Sequence, residues 1–223
     1  MWIKESIKRG NKMKDHYSLP GIDIFIKDQL PEHVSASFVF EYISSRVPWY
    51  LMGNVEIIYV GLFPEMRERD INAYFENDAI YVTSEQDDEM DMIEDIIHEI
   101  SHSVEQKHGD LIYGDSLLER EFLAKRGRLE NRLKGKHKFP AAFSVSPDYD
   151  KATDEFLYKD IGYDALNQYV VNIFPSAYSA TSISEYWAIG FEEMFLGDRQ
   201  ALKQLCPVLY NKLITLIKEL KEQ

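Results

Sequence analysis

Two histidines stand four residues apart, with a glutamate directly after the first, in His98-Glu99-Ile100-Ser101-His102. On a helix, residues four apart project from one face about one turn apart, so both imidazoles can reach a single tetrahedral zinc ion. Glu99 then points beside the ion rather than at it. There its carboxylate can take a proton from a zinc-activated water that attacks a carbonyl carbon. With 6 histidines in 223 residues, chance produces this pattern only about 0.015 times per chain.

A catalytic zinc site needs a third protein ligand and an open fourth position. Two residues compete for that role. His108 lies six residues beyond His102, the spacing of the metzincins. That pattern has a glycine where this chain has Glu105, because the backbone must turn sharply there. With Glu105 the helix continues and carries His108 to another face, where a helix-end histidine is favoured by the macrodipole. The other candidate is Glu185. Ser182 and Glu185 have the spacing of a capping box, which places Glu185 in the first turn of a second helix that can face the histidines. On spacing alone, a carboxylate stabilised by the helix dipole accounts for Glu185 equally well.

The elements that must hold these residues can be read from pattern. Ile22–Ile26 and Val55–Gly61 have the β-branched character of strands, and Ala73–Phe75 and Ala79–Val82 flank the turn Glu76-Asn77-Asp78 as a hairpin. Pro31 marks a first helical turn ahead of Val34, Phe38, Phe40 and Ile43. Ser84 and Asp87 predict the start of the histidine-bearing helix. Ile93, Ile96, Ile97, Ile100 and Val104 form its buried stripe, and Gly109 stops it. Further helices are expected over 116–134, from about Ser184 to Phe195, and over 207–221 from Pro207. Met90, Met92 and Met194 read as core filler. Strands and one helix followed by helices make the class α+β. The domain plan is a basic N-terminal arm over 1–18, then one catalytic domain over 19–223.

The run from Tyr178 to Glu185, followed by Tyr186, Trp187 and Ala188, resembles the anthrax lethal factor-like zinc peptidases, a group that includes the Pro-Pro endopeptidases. The similarity covers residues 79–104 and 178–215. It implies a zincin-like fold: a small mixed sheet whose edge strand lies beside the active-site helix, then a mostly helical part carrying the glutamate ligand. By that resemblance His98, His102 and Glu185 bind zinc, Glu99 is the general base, and Tyr178 donates to the oxyanion. The chain departs from the family in two places. Ile189 stands where an acidic residue is usual, which leaves Glu192 to orient a zinc histidine. A helical and aromatic insertion at about 110–177 matches nothing in the family.

The expected function is a zinc-dependent endopeptidase acting on a protein or peptide that lies extended along Ile80–Thr83 as an edge strand. The alternatives are a metzincin-like peptidase using His108, and a non-catalytic interaction protein on a zincin scaffold. The acidic run Glu85 to Asp91 fits either a solvated first turn or a preference for basic substrates, and the basic turn Arg132 to Lys138 reads as a solvated loop.

Charge sets limits on partners. Lys+Arg 25 against Asp+Glu 38 gives −13 and a pI near 4.9, which speaks against nucleic acid or an anionic membrane as main partner. Cys206 is the only cysteine and cannot form an internal disulfide. No apolar run reaches the length of a membrane span, and the basic start is not followed by an apolar core. The expectation is a cytoplasmic protein.

Overall fold

The computed structural model describes residues 18–222, so the expected arm falls outside them except for Ser18. The class is α+β and mostly helical. The chain divides into two compact units, with the boundary between Val104 and Glu105.

In the first unit, β1 (Ser18–Leu19), β2 (Ile22–Ile26), β3 (Ile57–Gly61), β4 (Ala73–Glu76) and β5 (Ala79–Thr83) form one sheet in the order β1-β2-β3-β5-β4. Strands β2, β3 and β5 are parallel, and β1 and β4 are antiparallel to their neighbours. Alternation assigns the faces. Ile24, Ile58, Val60, Ile80 and Val82 are buried on one side. The intervening residues Phe25, Tyr59, Tyr81 and Tyr74 stack as a ladder on the other, with centroids 5.7, 5.3 and 4.7 Å apart. Asn77 and Asp78 have φ of 51° and 60°, the left-handed backbone that a two-residue hairpin turn requires.

One expectation about this sheet is corrected. The strand leading into the histidine helix, β5, is paired with β3 on one side and β4 on the other. Its backbone groups are already used, so it is not an edge strand and cannot accept a peptide. The edge beside it is β4.

Helix α1 (Ala36–Arg46) starts later than Pro31. Pro31 opens a turn closed by Val34 N–H at 3.0 Å, and the Ser35 hydroxyl caps the helix by accepting from Phe38 N–H. After the short α2 (Pro64–Arg69) and the β4–β5 hairpin comes α3 (Glu89–Tyr113). Its cap is Asp88 rather than Ser84: Asp88 Oδ1 accepts from Met90 and Asp91 N–H at 2.7 and 3.0 Å. Ser84 instead extends the sheet by donating its N–H to Gly61 C=O. Ile93, Ile96, Ile97, Ile100 and Val104 are all fully buried, as is Met92, whereas Met90 is exposed. Gly53 has φ of +66°, and a Cβ there would lie 2.4 Å from Ser103 Oγ. That hydroxyl accepts from Asn54 N–H at 2.7 Å and ties the loop to α3.

The second unit begins inside α3, which continues past Gly109 to Tyr113 with a local break at His108 (φ −123°, ψ 23°). Then follow α4 (Leu117–Leu133), α5 (Lys151–Glu155) running into a π-helical turn (Phe156–Ile161), and α6 (Tyr163–Val170). A 3-10 turn (Tyr178–Ala180) precedes α7 (Ile183–Phe195), and α8 (Arg199–Leu205) and α9 (Pro207–Lys221) complete the chain. Its core joins Leu118, Phe122 and Leu129 of α4, Tyr186, Trp187 and Phe191 of α7, and Leu209 and Leu213 of α9. Gly190 lets α7 and α9 approach closely, since a Cβ there would sit 2.3 Å from a Leu209 methyl. Among the described residues no helix is long and apolar enough to cross a membrane.

Candidate metal site

The buried isoleucine stripe orients α3 and thereby presents His98 and His102 together on another face. Their Nε2 atoms are 3.2 Å apart, with ring planes at 76°. Two nitrogens on one tetrahedral zinc, each about 2.0–2.1 Å from it, are separated by about 3.3 Å. The pair is therefore already spaced for a shared ion. Glu99, between them, is 8% exposed. Ser101 Oγ donates to His98 C=O at 2.6 Å within the same turn.

Glu185 is placed as its spacing predicts. Ser182 is the cap of α7, and its hydroxyl accepts from Glu185 N–H at 3.1 Å. His98, His102 and Glu185 each offer one ligand atom, and these atoms all lie within 4.8 Å of one another, each residue being half-buried. Two imidazoles and one carboxylate form a donor set that suits zinc. His108 is not part of this group. Burial and the neighbouring Lys107 hold its imidazole below the usual histidine range.

Glu105, one turn beyond His102 on α3, fixes the start of α7. It accepts hydrogen bonds from the Tyr113 phenol and from Ser184 Oγ, the latter at 2.6 Å, and Ser184 directly precedes Glu185. Tyr178 opens the 3-10 turn and is 43% exposed. Its ring meets Tyr163 edge-on at 6.4 Å, and its carbonyl accepts from Thr181 Oγ1 at 2.8 Å. Burial, with Asp154 and Glu185 nearby, pushes the Tyr163 phenol up to about 12.

What holds the Tyr178–Glu185 segment is a residue that motif reasoning misses. Arg126 of α4 is fully buried, and its guanidinium donates to Ala180 and Thr181 C=O at 3.0 and 2.6 Å and to Phe143 and Ser146 C=O at 3.0 and 2.8 Å. Lys125 donates to Ile173 and Leu205 C=O, both at 2.7 Å. Glu121 accepts from the Tyr186 hydroxyl at 2.8 Å and from Val208 and Leu209 N–H, capping α9. A signal for this is present in the pattern. Leu118, Phe122, Leu129 and Leu133 mark the inner face of α4, and Lys125 and Arg126 fall on that same face.

Comparison with protein-family models, with curated proteins and with solved structures returned no match.

Proposed function

We propose that the chain is a zinc-dependent endopeptidase of the gluzincin kind, built on a zincin-like fold. The observation that carries the reading is the grouping of His98, His102 and Glu185 around one point, with Glu99 between the two histidines. Bound there, zinc would polarise the scissile carbonyl and acidify a water. Glu99 takes the proton from the attacking water and passes it to the leaving amine. The Tyr178 phenol donates to the oxygen on which negative charge develops, the role implied by the resemblance to lethal factor-like peptidases. An extended peptide would pair with β4, whose outer edge has no partner strand among the described residues.

Elemental analysis tests the ligand set. Wild type should carry one zinc per chain, and Glu185→Ala should lose most of it during purification without added metal. Equal zinc in both proteins would exclude Glu185 as a ligand. Glu99→Gln tests the chemistry: it should keep zinc and fold while peptide cleavage falls by at least about a hundredfold. Full cleavage by that variant would overturn the mechanism.

A further inference from the structure

The chain carries 38 carboxylates against 25 lysines and arginines. Even so, five cations gathered in the second unit form no ion pair with any described residue. Arg128 and Arg132 stand four residues apart on α4, so they project from one face about 6 Å apart. Lys134, Lys136 and Lys138 follow in the turn that leaves the helix, and all five side chains are exposed. Glu130 lies between the arginines in sequence but serves another neighbour, accepting from the Ser144 hydroxyl. Structural duties account for part of this charge. Arg132 Nη1 donates to Tyr169 and Val171 C=O at 2.7 and 2.8 Å, and Arg128 Nη2 donates to Asn172 C=O at 3.0 Å, which ties the end of α6 to α4. Helix C-termini also attract cations, but the ends of α4 and α6 amount to about half a negative charge each. Most of the positive charge is left over.

The same bonds fix the two guanidiniums in place. Each arginine uses one terminal nitrogen, so its Nε and its other Nη keep N–H donors with no partner among the described residues. Lys136 is held as well, with Nζ 3.1 Å from the Tyr169 hydroxyl and 4.8 Å from the centre of that ring. Val171, whose carbonyl Arg132 holds, is 53% exposed. The surface is therefore a row of anchored donors beside one apolar side chain. Guanidiniums with free N–H edges suit carboxylates, which they can meet with paired bonds. Alternate side chains of an extended peptide are about 6.5–7 Å apart, close to the step between Arg128 and Arg132. A nucleic acid or an anionic bilayer extends far beyond this patch and meets the field of a chain with net charge −13. A short acidic segment ends within the patch.

We propose that this surface docks an extended segment of a partner protein in which acidic residues alternate and an apolar side chain falls on Val171. The surface belongs to the second unit alone, and the inference stands whether or not the chain is a peptidase.

The probe is a fluorescein-labelled peptide with glutamate at three alternate positions and leucine between them, and its control has glutamine for every glutamate. Both are titrated into the full chain and followed by anisotropy. The glutamate peptide should saturate wild type, and the glutamine peptide should bind at least about tenfold more weakly. Raising the ionic strength from about 0.05 M to about 0.5 M should weaken the glutamate peptide by a similar factor. Lys134→Gln/Lys138→Gln removes no side-chain hydrogen bond to a described residue. It should lower affinity at least about threefold with unchanged circular dichroism, and Arg128→Gln/Arg132→Gln should lower it at least about tenfold. Because those arginines also tie α6, the lysine variant decides if the arginine variant fails to fold. No saturable binding, equal affinity for the two peptides, or full affinity in the lysine variant overturns the proposal. Tighter binding of a single-stranded oligonucleotide or of phosphatidylserine vesicles also overturns it, since the preferred anion would then be a phosphate. Sedimentation of wild type alone completes the test: self-association that salt and the lysine variant abolish would give the surface to a second copy and overturn the separate partner.

Discussion

Replacing Arg126 by methionine removes five N–H donors while keeping an unbranched side chain of similar reach. Four carbonyls lose a donor, and the bonds to Phe143, Ala180 and Thr181 are buried. Each acceptor left unsatisfied in the interior costs about 1–3 kcal/mol. Burial already lowers the Arg126 guanidinium to about 10, so removing that buried cation returns part of the loss. The net expectation is a destabilisation of about 3–5 kcal/mol. For a chain of this size that corresponds to a fall in Tm of about 6–20 °C. Urea titration followed by circular dichroism measures it, with an unchanged m-value showing that the same cooperative unit unfolds. Arg126→Lys, with three donors on a point charge, should fall between the two proteins. Because the bonds from Arg126 reach the segment that carries Tyr178 and Glu185, zinc affinity by chelator competition should weaken in the methionine variant even at temperatures where it is fully folded. A loss below about 1 kcal/mol with unchanged zinc affinity would refute the claim that these four bonds hold the segment.

Two further outcomes follow from local geometry. Gly53→Ala places a Cβ 2.4 Å from Ser103 Oγ and 2.7 Å from the Ser103 backbone carbon at a φ of +66°. A helix backbone cannot yield that distance, so the variant should lose about 2–4 kcal/mol in denaturant titration, and a loss under about 0.5 kcal/mol would show that the loop moves freely. Alkaline pH should destabilise the fold. Tyr163 is raised to about 12 by burial first and by Asp154 and Glu185 after it, and burial also holds Tyr186 well above the ordinary tyrosine range. An unfolded tyrosine ionises near 10, so above that pH the unfolded chain releases protons that the folded chain retains. Stability should be constant with respect to these groups below about pH 10 and decline as pH rises through about 12. Absorbance at 295 nm should show the late phenols ionising together with loss of the circular dichroism signal, and reversible ionisation of all phenols near pH 10 would contradict this.

The local features of the site are legible in the sequence because they are set by residues within a turn of one another. The histidine pair, the isoleucine stripe, the Asn77-Asp78 turn and the Ser182 cap over Glu185 all rest on short-range geometry. The start of α3 is harder to place because Ser84 and Asp88 are both good caps, and sheet pairing decides between them by engaging Ser84 N–H. Gly109 does not stop α3, since the helix tolerates a break at His108 and resumes. The reading of β5 as an edge fails for a different reason. Order along the chain does not give order across the sheet, and the β4–β5 hairpin puts the later strand inside and the earlier one outside. Arg126, Lys125 and Glu121 escape a motif reading because a charged helix reads as solvated. Their partners are mostly backbone carbonyls and amides, which carry no side-chain signature.

The separations in these bonds also set a sequence of events during refolding. His98 and His102 are brought together by a single helix, which forms in about a microsecond once nucleated. Glu185 depends on Arg126 reaching Ala180 and Thr181 across 54 and 55 residues, and α7 and α9 depend on Glu121 reaching 65 to 88 residues along the chain. Contacts of that range form late, because the entropy of closing the loop is lost before the contact repays it. On the proposed ligand set, the two histidine nitrogens are ready early and the Glu185 carboxylate comes last. If zinc binds as proposed, a chain refolding in its presence should hold the ion weakly through the two histidines first and more tightly once the Arg126 and Glu121 contacts have formed.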